Sequence, residues 1–227
     1  MEISNRLKTV ALMVDKCEKI VDVGTDHAYI PIYLLNKGLC KYAIASDINK
    51  GPIDKAKINI VRENLDKNIE CRLGPGLTTV SPKEVQGAII AGMGGHMIKD
   101  ILEESKDVFK SLDFLVLQPV QNPDALRCYL YKNGYEIIEE QLAVDENRFY
   151  EIIKIKYDKI RVPIEDDIYY EIGKDLIDKK HPLLKRFLNH KIDVNLKILN
   201  NITQDTEGAM LRKRELKVKI QKLRELL

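Results

Sequence analysis

Lys19-Ile20-Val21-Asp22-Val23-Gly24-Thr25-Asp26-His27-Ala28 is the stretch on which the fold turns. A short apolar run that stops at a glycine reads as a strand buried on both faces, the mark of a parallel sheet. Gly24 permits a tight turn, and a helix is expected from about Ala28 to Lys37. Upstream, Ser4 is a plausible N-cap for a helix whose apolar stripe is Leu7, Val10, Ala11 and Val14. Downstream the pattern repeats. Tyr42 to Asp47 is a second strand, and Pro52 opens a helix with the stripe Ile53, Ala56, Ile60. Ile69 to Leu73 is a third strand closed by Gly74-Pro75-Gly76, and Gly87 to Gly92 is a fourth. A helix follows over Met97 to Phe109, then a fifth strand, Phe114 to Leu117, stopped by Pro119. Asn122-Pro123 opens a helix ending near Gly134, and strands are expected at 135–143 and 149–157 around a turn at Asp145-Glu146-Asn147. Strands alternating with helices predict a doubly wound α/β sheet, here finished by an antiparallel hairpin that a dinucleotide-binding sheet does not need.

The composition changes near Asp158, so two domains are expected, 1–157 and 158–227. The second carries only helical patterning. Leu184, Phe187, Leu188, Lys191, Ile192, Asn195, Ile198, Leu199 and Ile202 form one stripe, and Leu216, Ile220, Leu223 and Leu227 another, with a break at Thr206-Glu207-Gly208. Two long helices in a coiled-coil hairpin fit this pattern. From Lys174 to Arg224 there are 14 Lys/Arg against 6 Asp/Glu, although the whole chain carries only +2. A basic tail on an otherwise acidic chain points to a nucleic-acid backbone, with Arg212-Lys213-Arg214 the densest cluster. A solvated helical face is the plainer alternative.

The four cysteines, Cys17, Cys40, Cys71 and Cys128, form no C-x-x-C pair, so reduced thiols in a cytosolic protein are expected, and no metal site. The polar N-terminus has no signal-peptide core, and no apolar run is long enough for a membrane span.

In such sheets ligands bind at the carboxyl ends of the strands. Asp22, Gly24, Thr25 and Asp26 lie at the first of these ends. The phosphate-binding G-x-G-x-x-G is missing, which disfavours a dinucleotide oxidoreductase; two acids at this turn suit the ammonium of a nucleoside with an amino-acid arm and no phosphates. Asp47, with Ile48 after it, ends the second strand, where a carboxylate can accept from both ribose hydroxyls. Gly74, Pro75, Gly76 and Leu77 follow the third and would let backbone approach a base. Ala91-Gly92-Met93-Gly94-Gly95-His96 follows the fourth, and its glycines permit φ > 0 and close approach of a substrate. Gln118, on the fifth, could bond a base edge. His27 and His96 stand at strand ends and are either site residues or inert surface histidines, and Tyr29 either stacks on a base or packs on the sheet.

Together these stretches resemble the bacterial tRNA (adenine-22-N1)-methyltransferase family. The resemblance rests on Ser4-Asn5-Arg6-Leu7, on Asp22 through Pro31, on Ala45 through Pro52, on Arg72 through Leu77, on Ala91-Gly92-Met93-Gly94-Gly95 and on Leu117-Gln118-Pro119. It covers residues 1 to about 157, and the tail matches in kind. It implies a Rossmann-like class I fold with a reversed seventh strand, S-adenosyl-L-methionine as cofactor, tRNA as partner, a cytoplasmic location and, by expectation, a monomer. It implies that Asp22, Gly24, Thr25, Asp26, Asp47, Ile48, Gly74, Pro75, Gly76, Leu77, Ala91 and Gly92 hold the cofactor. Gly92, Met93, Gly94, His27, Tyr29 and Gln118 would face the acceptor base, and Arg212, Lys213 and Arg214 the RNA. One position departs from the pattern. The family commonly has an acid where this chain has Pro75, which can offer only a carbonyl, so the adenine contact would pass to backbone or to the neighbourhood of Leu77. The rival readings are another RNA-directed methyltransferase and a noncatalytic RNA-binding protein on the same fold. The Pro-Pro-aromatic signature of exocyclic-amine methylation is absent.

Overall fold

In the computed structural model, which describes residues 2–159 and 164–227, the chain divides into two compact units, Met1–Pro163 and Ile164–Leu227. The sequence division at 157/158 falls where the last strand ends, and residues 160–163 lie outside the described residues.

The first unit is built on a seven-stranded sheet. Its strands are β1 (Lys19–Val23), β2 (Tyr42–Asp47), β3 (Ile69–Leu73), β4 (Gly87–Gly94), β5 (Phe114–Gln121), β6 (Tyr135–Asp145) and β7 (Arg148–Tyr157). Their order in space is β3-β2-β1-β4-β5-β7-β6. The first five run parallel, and β7 is antiparallel to both β5 and β6. The expected reversal at the end of the sheet is therefore present. The central strands β1, β2, β4 and β5 are buried on both faces, with Ile20, Ile44, Ile89, Ile90, Val116 and Leu117 fully enclosed, which is why they read as unbroken apolar runs.

Helices cover both faces: α1 (Asn5–Leu12), α2 (Tyr29–Asn36), α3 (Lys50–Arg62), α4 (Gly95–Glu104), α5 (Lys106–Phe109) and α6 (Pro123–Lys132). Ser4 caps α1, its hydroxyl accepting from Leu7 N at 3.3 Å. Two expectations need correction. The helix expected over Met97 to Phe109 starts at Gly95 and is broken at Ser105 into α4 and α5. β5 does not stop at Pro119 but runs to Gln121: Pro119 is accommodated opposite Met93, where the β4–β5 register shifts on either side of that pair.

The edge hairpin is locked to α6 by a buried ion cluster. Arg127, which is 0% exposed, reaches Glu140 on β6 at 2.6 Å and Glu151 on β7 at 2.7 Å. Such a cluster adds little over an apolar core, but breaking it strands buried charge. Lys154 on β7 likewise pairs with Asp15 at 2.6 Å.

The second unit is all helix: α7 (Ile168–Ile172), α8 (Lys174–Asp178), α9 (Leu184–Asn201) and α10 (Glu207–Glu225). The two long helices anticipated from the apolar stripes are α9 and α10, and two short ones precede them. Phe187, Leu188, Ile192 and Asn195 of α9, with Leu216, Ile220 and Leu223 of α10, form its interior. Ile198, expected in the α9 stripe, is exposed. Glu171 of α7 ties the unit together, accepting from Lys191 at 3.2 Å and Lys219 at 2.8 Å, and these two cations hold its carboxyl below the usual range against the opposing effect of burial.

Replacing Arg127 by Ala leaves the Glu140 and Glu151 carboxylates buried without their cation, and this is expected to cost about 3–5 kcal/mol of folding free energy. Urea denaturation followed by circular dichroism measures it; a loss below about 1 kcal/mol, the scale of an exposed pair, would show that the cluster carries no such stake.

Candidate active site

The strand order turns back on itself between β1 and β4, and a crevice opens there at the carboxyl ends of the strands. A cavity of about 530 Å³ occupies it, lined by residues that include Asp22, Gly24 and Asp26 from the end of β1, Tyr29 and Ile30 from α2, Ala91 and Gly92 from β4, and Arg6 and Leu7 from α1. Seven residues of this lining come from sequence-expected or flanking motif positions on the sheet side; the N-terminal segment supplies the opposite wall.

Each element has a local reason to be there. Gly24 takes φ 73°, and a Cβ on it would collide with the terminal methyl of Met93. Thr25 N donates to Ser46 O at 2.8 Å, fixing the turn against β2. His27 and Ala28 both adopt left-handed backbone, φ 64° and 57°, a strained pair for residues with a Cβ. Asn59 of α3 steadies them by donating to His27 O at 3.0 Å. The His27 ring stacks on Tyr29 at 5.1 Å between centroids, and its Nε2 lies 3.2 Å from Asp26 Oδ1.

Asp22 is the electrostatic centre. Burial pushes its carboxyl up to about 7, the neighbouring Asp47 charge adds to this, and the Thr25 hydroxyl works the other way. That hydroxyl lies beside the carboxylate, itself buried, without hydrogen-bond geometry to any protein atom. Asp47 sits one residue past the Val23–Ser46 pairing of β1 and β2. Its Oδ1 accepts from Asn49 N at 2.7 Å, and its backbone carbonyl accepts from Gly74 N at 2.9 Å. Ile48 and Leu73, at the ends of β2 and β3, are 64% and 60% exposed, an apolar pair left open beside Asp47.

The remaining expected residues divide. Asp47, Ile48, Gly74, Pro75 and Gly76 stand at neighbouring strand ends but not in the wall of this cavity. Leu77 is fully buried in the short 3-10 turn Gly76–Thr79, so it is core and presents nothing to a ligand. The Pro75 carbonyl is occupied by Thr78, whose N and Oγ1 donate to it at 3.2 and 2.5 Å, so the backbone acceptor expected there is spent on the turn. Of the acceptor-loop glycines only Gly92 has positive φ, at 80°. Gly94 is extended, φ −67°, and caps α4; Gly95 is helical and abuts the Asn122 carbonyl. Gln118 is 0% exposed, and its amide is engaged at both ends, Oε1 accepting from Arg6 Nη1 at 2.7 Å and Nε2 donating to Pro119 O at 2.9 Å. It holds Arg6 and has no free edge for a base.

Residues 3–153 match the family model described as a methyltransferase domain. A tRNA (adenine(22)-N(1))-methyltransferase of Bacillus subtilis (strain 168) is 30% identical over 236 residues, covering 100% of this chain and 98% of the relative. The chain belongs to the tRNA (adenine(22)-N(1))-methyltransferase family. A Streptococcus pneumoniae protein solved in complex with S-adenosyl-L-methionine is 31% identical, with 100% of each chain covered and a TM-score of 0.84. TrmK of M. capricolum, solved with the product S-adenosyl-homocysteine, is 27% identical over 100% of this chain and 99% of that one, again with a TM-score of 0.84.

The sequence reading missed Arg6 and Asn59 as parts of this site. Neither belongs to a chemical motif. Arg6 is brought in by a pairing that spans 139 residues, Arg6 N donating to Asp145 Oδ2 at 2.7 Å, and no local pattern announces it. In the tail, Arg212 pairs with Glu215 at 3.0 Å and Lys213 with Asp205 at 3.5 Å, while Arg214 is exposed.

The two adjacent glycines of the acceptor loop should respond in opposite ways. A Cβ on Gly94 meets nothing within 4 Å, whereas one on Gly95 collides with the Asn122 carbonyl. Gly94→Ala should leave the melting temperature unchanged, and Gly95→Ala should lower it by several degrees, the effect of about 1–3 kcal/mol of overpacking. Equal melting temperatures in differential scanning calorimetry would contradict this account of the loop.

Proposed function

We propose that this protein transfers a methyl group from S-adenosylmethionine to N1 of adenine 22 in tRNA. The observation that carries the reading is the crevice itself: carboxylates and glycine backbone at the β1–β4 reversal, with no phosphate loop, in a chain that matches a tRNA (adenine(22)-N(1))-methyltransferase over its whole length.

The residues present fit this cofactor. Asp22 and Asp26 suit an ammonium, and Gly24 and Gly92 leave backbone walls that a side chain would close. The Thr25 hydroxyl is a buried polar group in want of a partner. Asp47 keeps Oδ2 for a ribose hydroxyl while Asn49 holds Oδ1, and the exposed Ile48 and Leu73 offer an apolar seat for an adenine ring. The Leu77 side chain takes no part in this seat. Bound there, the cofactor supplies an electrophilic methyl on a sulfonium.

The protein's share of the chemistry is positioning. Adenine N1 has an in-plane lone pair and needs no deprotonation, so no general base is required of the chain. Aligning two reactants can contribute about 7–11 kcal/mol. Gly92 and Gly94 supply close approach for the acceptor, Met93 packs over Gly24 between the two ligand positions, and Tyr29, backed by His27, offers a stacking face. A base taken from a folded tRNA must be extruded to reach such a crevice. The basic tail, with Arg212, Lys213 and Arg214, supplies affinity for the phosphate backbone; the ion pairs of Arg212 and Lys213 are exposed and weak enough to exchange for phosphates. No helix among the described residues is long and apolar enough to cross a membrane, and those residues hold no cluster suited to a metal. The enzyme works in the cytoplasm, where its tRNA is, and as a monomer.

Incubation with labelled S-adenosylmethionine and bulk bacterial tRNA, followed by nucleoside mapping, should place the label in 1-methyladenosine at position 22. Label in another nucleoside would favour a different RNA-directed methyltransferase, and no binding of cofactor in calorimetry would favour a noncatalytic RNA-binding protein.

Asp22 gives the site a pH signature. Its carboxyl is raised from 3.8 to about 7, so the free fold prefers the protonated form and loses stability as pH rises between those values. A cationic ammonium beside it prefers the carboxylate. Cofactor affinity should therefore rise with pH up to about 7 and level off above it, and Asp22→Asn should flatten that slope. A variant that keeps the wild-type pH profile in isothermal titration would remove Asp22 from the ammonium site.

A further inference from the structure

Gln118 is spent inside the fold, but the β4–β5 ladder continues past it and carries two further amides to the carboxyl end of β5, beside the acceptor loop. After the shift at Met93 and Pro119, pairing resumes with Gly94 opposite Gln121. The buried part of β5 ends at Pro119, and Val120, Gln121 and Asn122 are exposed. These last residues add nothing to the core. They lie alongside the glycines to which the acceptor is assigned.

Asn122 is not used as its position suggests. It is the N-cap residue of α6, and asparagine is among the best residues for that place. Its side chain nonetheless makes no capping hydrogen bond. The backbone is left-handed, φ 52° and ψ 48°, although a residue before a proline favours extended backbone. Gly95 clamps this conformation: a Cβ on it would stand 2.3 Å from the Asn122 carbonyl, which also accepts from Leu126 N at 3.2 Å. Among the described residues neither Asn122 nor Gln121 has a side-chain hydrogen bond within the protein. Val120, just before them, and Met97, in the first turn of α4, are exposed apolar side chains. An open amide in an apolar setting, next to a loop in which a Cβ on Gly94 would meet nothing, suits the edge of an aromatic base.

N1 of the acceptor adenine must stay open toward the methyl, so the protein has to read the base elsewhere. The groups on the far side of its six-membered ring edge are N6, a donor, and N7, an acceptor, and an asparagine amide matches the pair with one oxygen and one nitrogen. Guanine presents acceptors at both places, so the same amide discriminates against it. We propose that Asn122 selects adenine as the methyl acceptor, its Oδ1 accepting from N6 and its Nδ2 donating to N7, with N1 left free. This rests on the methyl-transfer reading made above. It gives the strained backbone a use: glycine would hold φ 52° without strain, but only a side chain can read a base. Gly95 is the positioning residue, through its contact with the Asn122 carbonyl.

The test replaces adenosine 22 of a tRNA substrate by 7-deazaadenosine, which keeps N1 and the amino group and lacks N7. Asn122→Gly in the full-length protein removes the amide and spares the backbone, because glycine adopts positive φ freely. The wild type should lose about 10- to 100-fold in kcat/KM on the deaza substrate, the scale of a good base contact. Asn122→Gly should lose at least that factor on the normal tRNA and nothing further on the deaza tRNA, while its dissociation constant for S-adenosylmethionine in calorimetry stays that of the wild type. The variant thus serves as the reference for whatever the missing nitrogen does to the base itself. A wild type indifferent to the loss of N7, or an Asn122→Gly protein with wild-type kcat/KM, overturns the proposal. So does a variant that still loses the full wild-type factor when N7 is removed, or one whose cofactor affinity falls as far as its kcat/KM, which would make Asn122 a support of the loop only. A wild type that leaves adenine 22 unmethylated in both tRNAs removes the methyl-transfer reading itself and the proposal with it, a result distinct from the others.

Discussion

The reversal of strand order between β1 and β4 is the constraint on which everything else depends. β1 pairs with β2 on one side and β4 on the other, and the connections from the two strands leave in opposite directions. No loop can cover the carboxyl ends at that point, so backbone and side chains there face an open crevice. Gly24 after β1 and Gly92 within β4 both take positive φ, and these two glycines permit close approach from each side of the gap. The antiparallel hairpin serves the same crevice from a distance. It carries Asp145 to the start of α1 and thereby closes the cavity on the side the sheet leaves open.

Where periodicity ruled, the sequence was sufficient. The central strands are apolar because both faces are covered, and the stripes Val10–Ala11 and Ile53–Ala56–Ile60 mark the buried faces of α1 and α3. The motif positions Asp22, Gly24, Asp26 and Gly92 could be placed because they follow strand ends directly and the site follows the strand ends. Local pattern failed where the decisive contact was remote or the turn was self-contained. Leu77 reads as a turn residue beside a ligand, but the 3-10 turn folds it inward against Val80 and the sheet. Gln118 reads as an amide at a strand end, yet burial commits it to Arg6, 112 residues away. Arg6 itself was visible only as a residue within a matching stretch.

Charge burial takes two forms in this fold, and the difference separates support from function. Arg127 is enclosed with two carboxylates and ties α6 to the hairpin, far along the sheet from the crevice. Its charge is met from within the fold, by carboxylates on both strands of the hairpin. Asp22 is enclosed with no ion pair among the described residues, beside another aspartate and a hydroxyl without a partner. A buried acid in that setting is costly to ionise and gains most from a cation that arrives with a ligand.

Backbone strain follows the same division. His27 and Ala28 hold consecutive left-handed conformations that neither residue prefers, at a cost of the order of 1–3 kcal/mol each. Asn59 and the His27–Tyr29 stack hold them there. The gain is an early start for α2, which turns the Tyr29 ring into the cavity wall. An ordinary strand–helix turn would have no use for two such residues in succession. Their position directly after the Asp22–Asp26 turn places the departures from local preference at one end of the sheet, where unmatched charge and an unpartnered hydroxyl can be relieved by the same bound molecule.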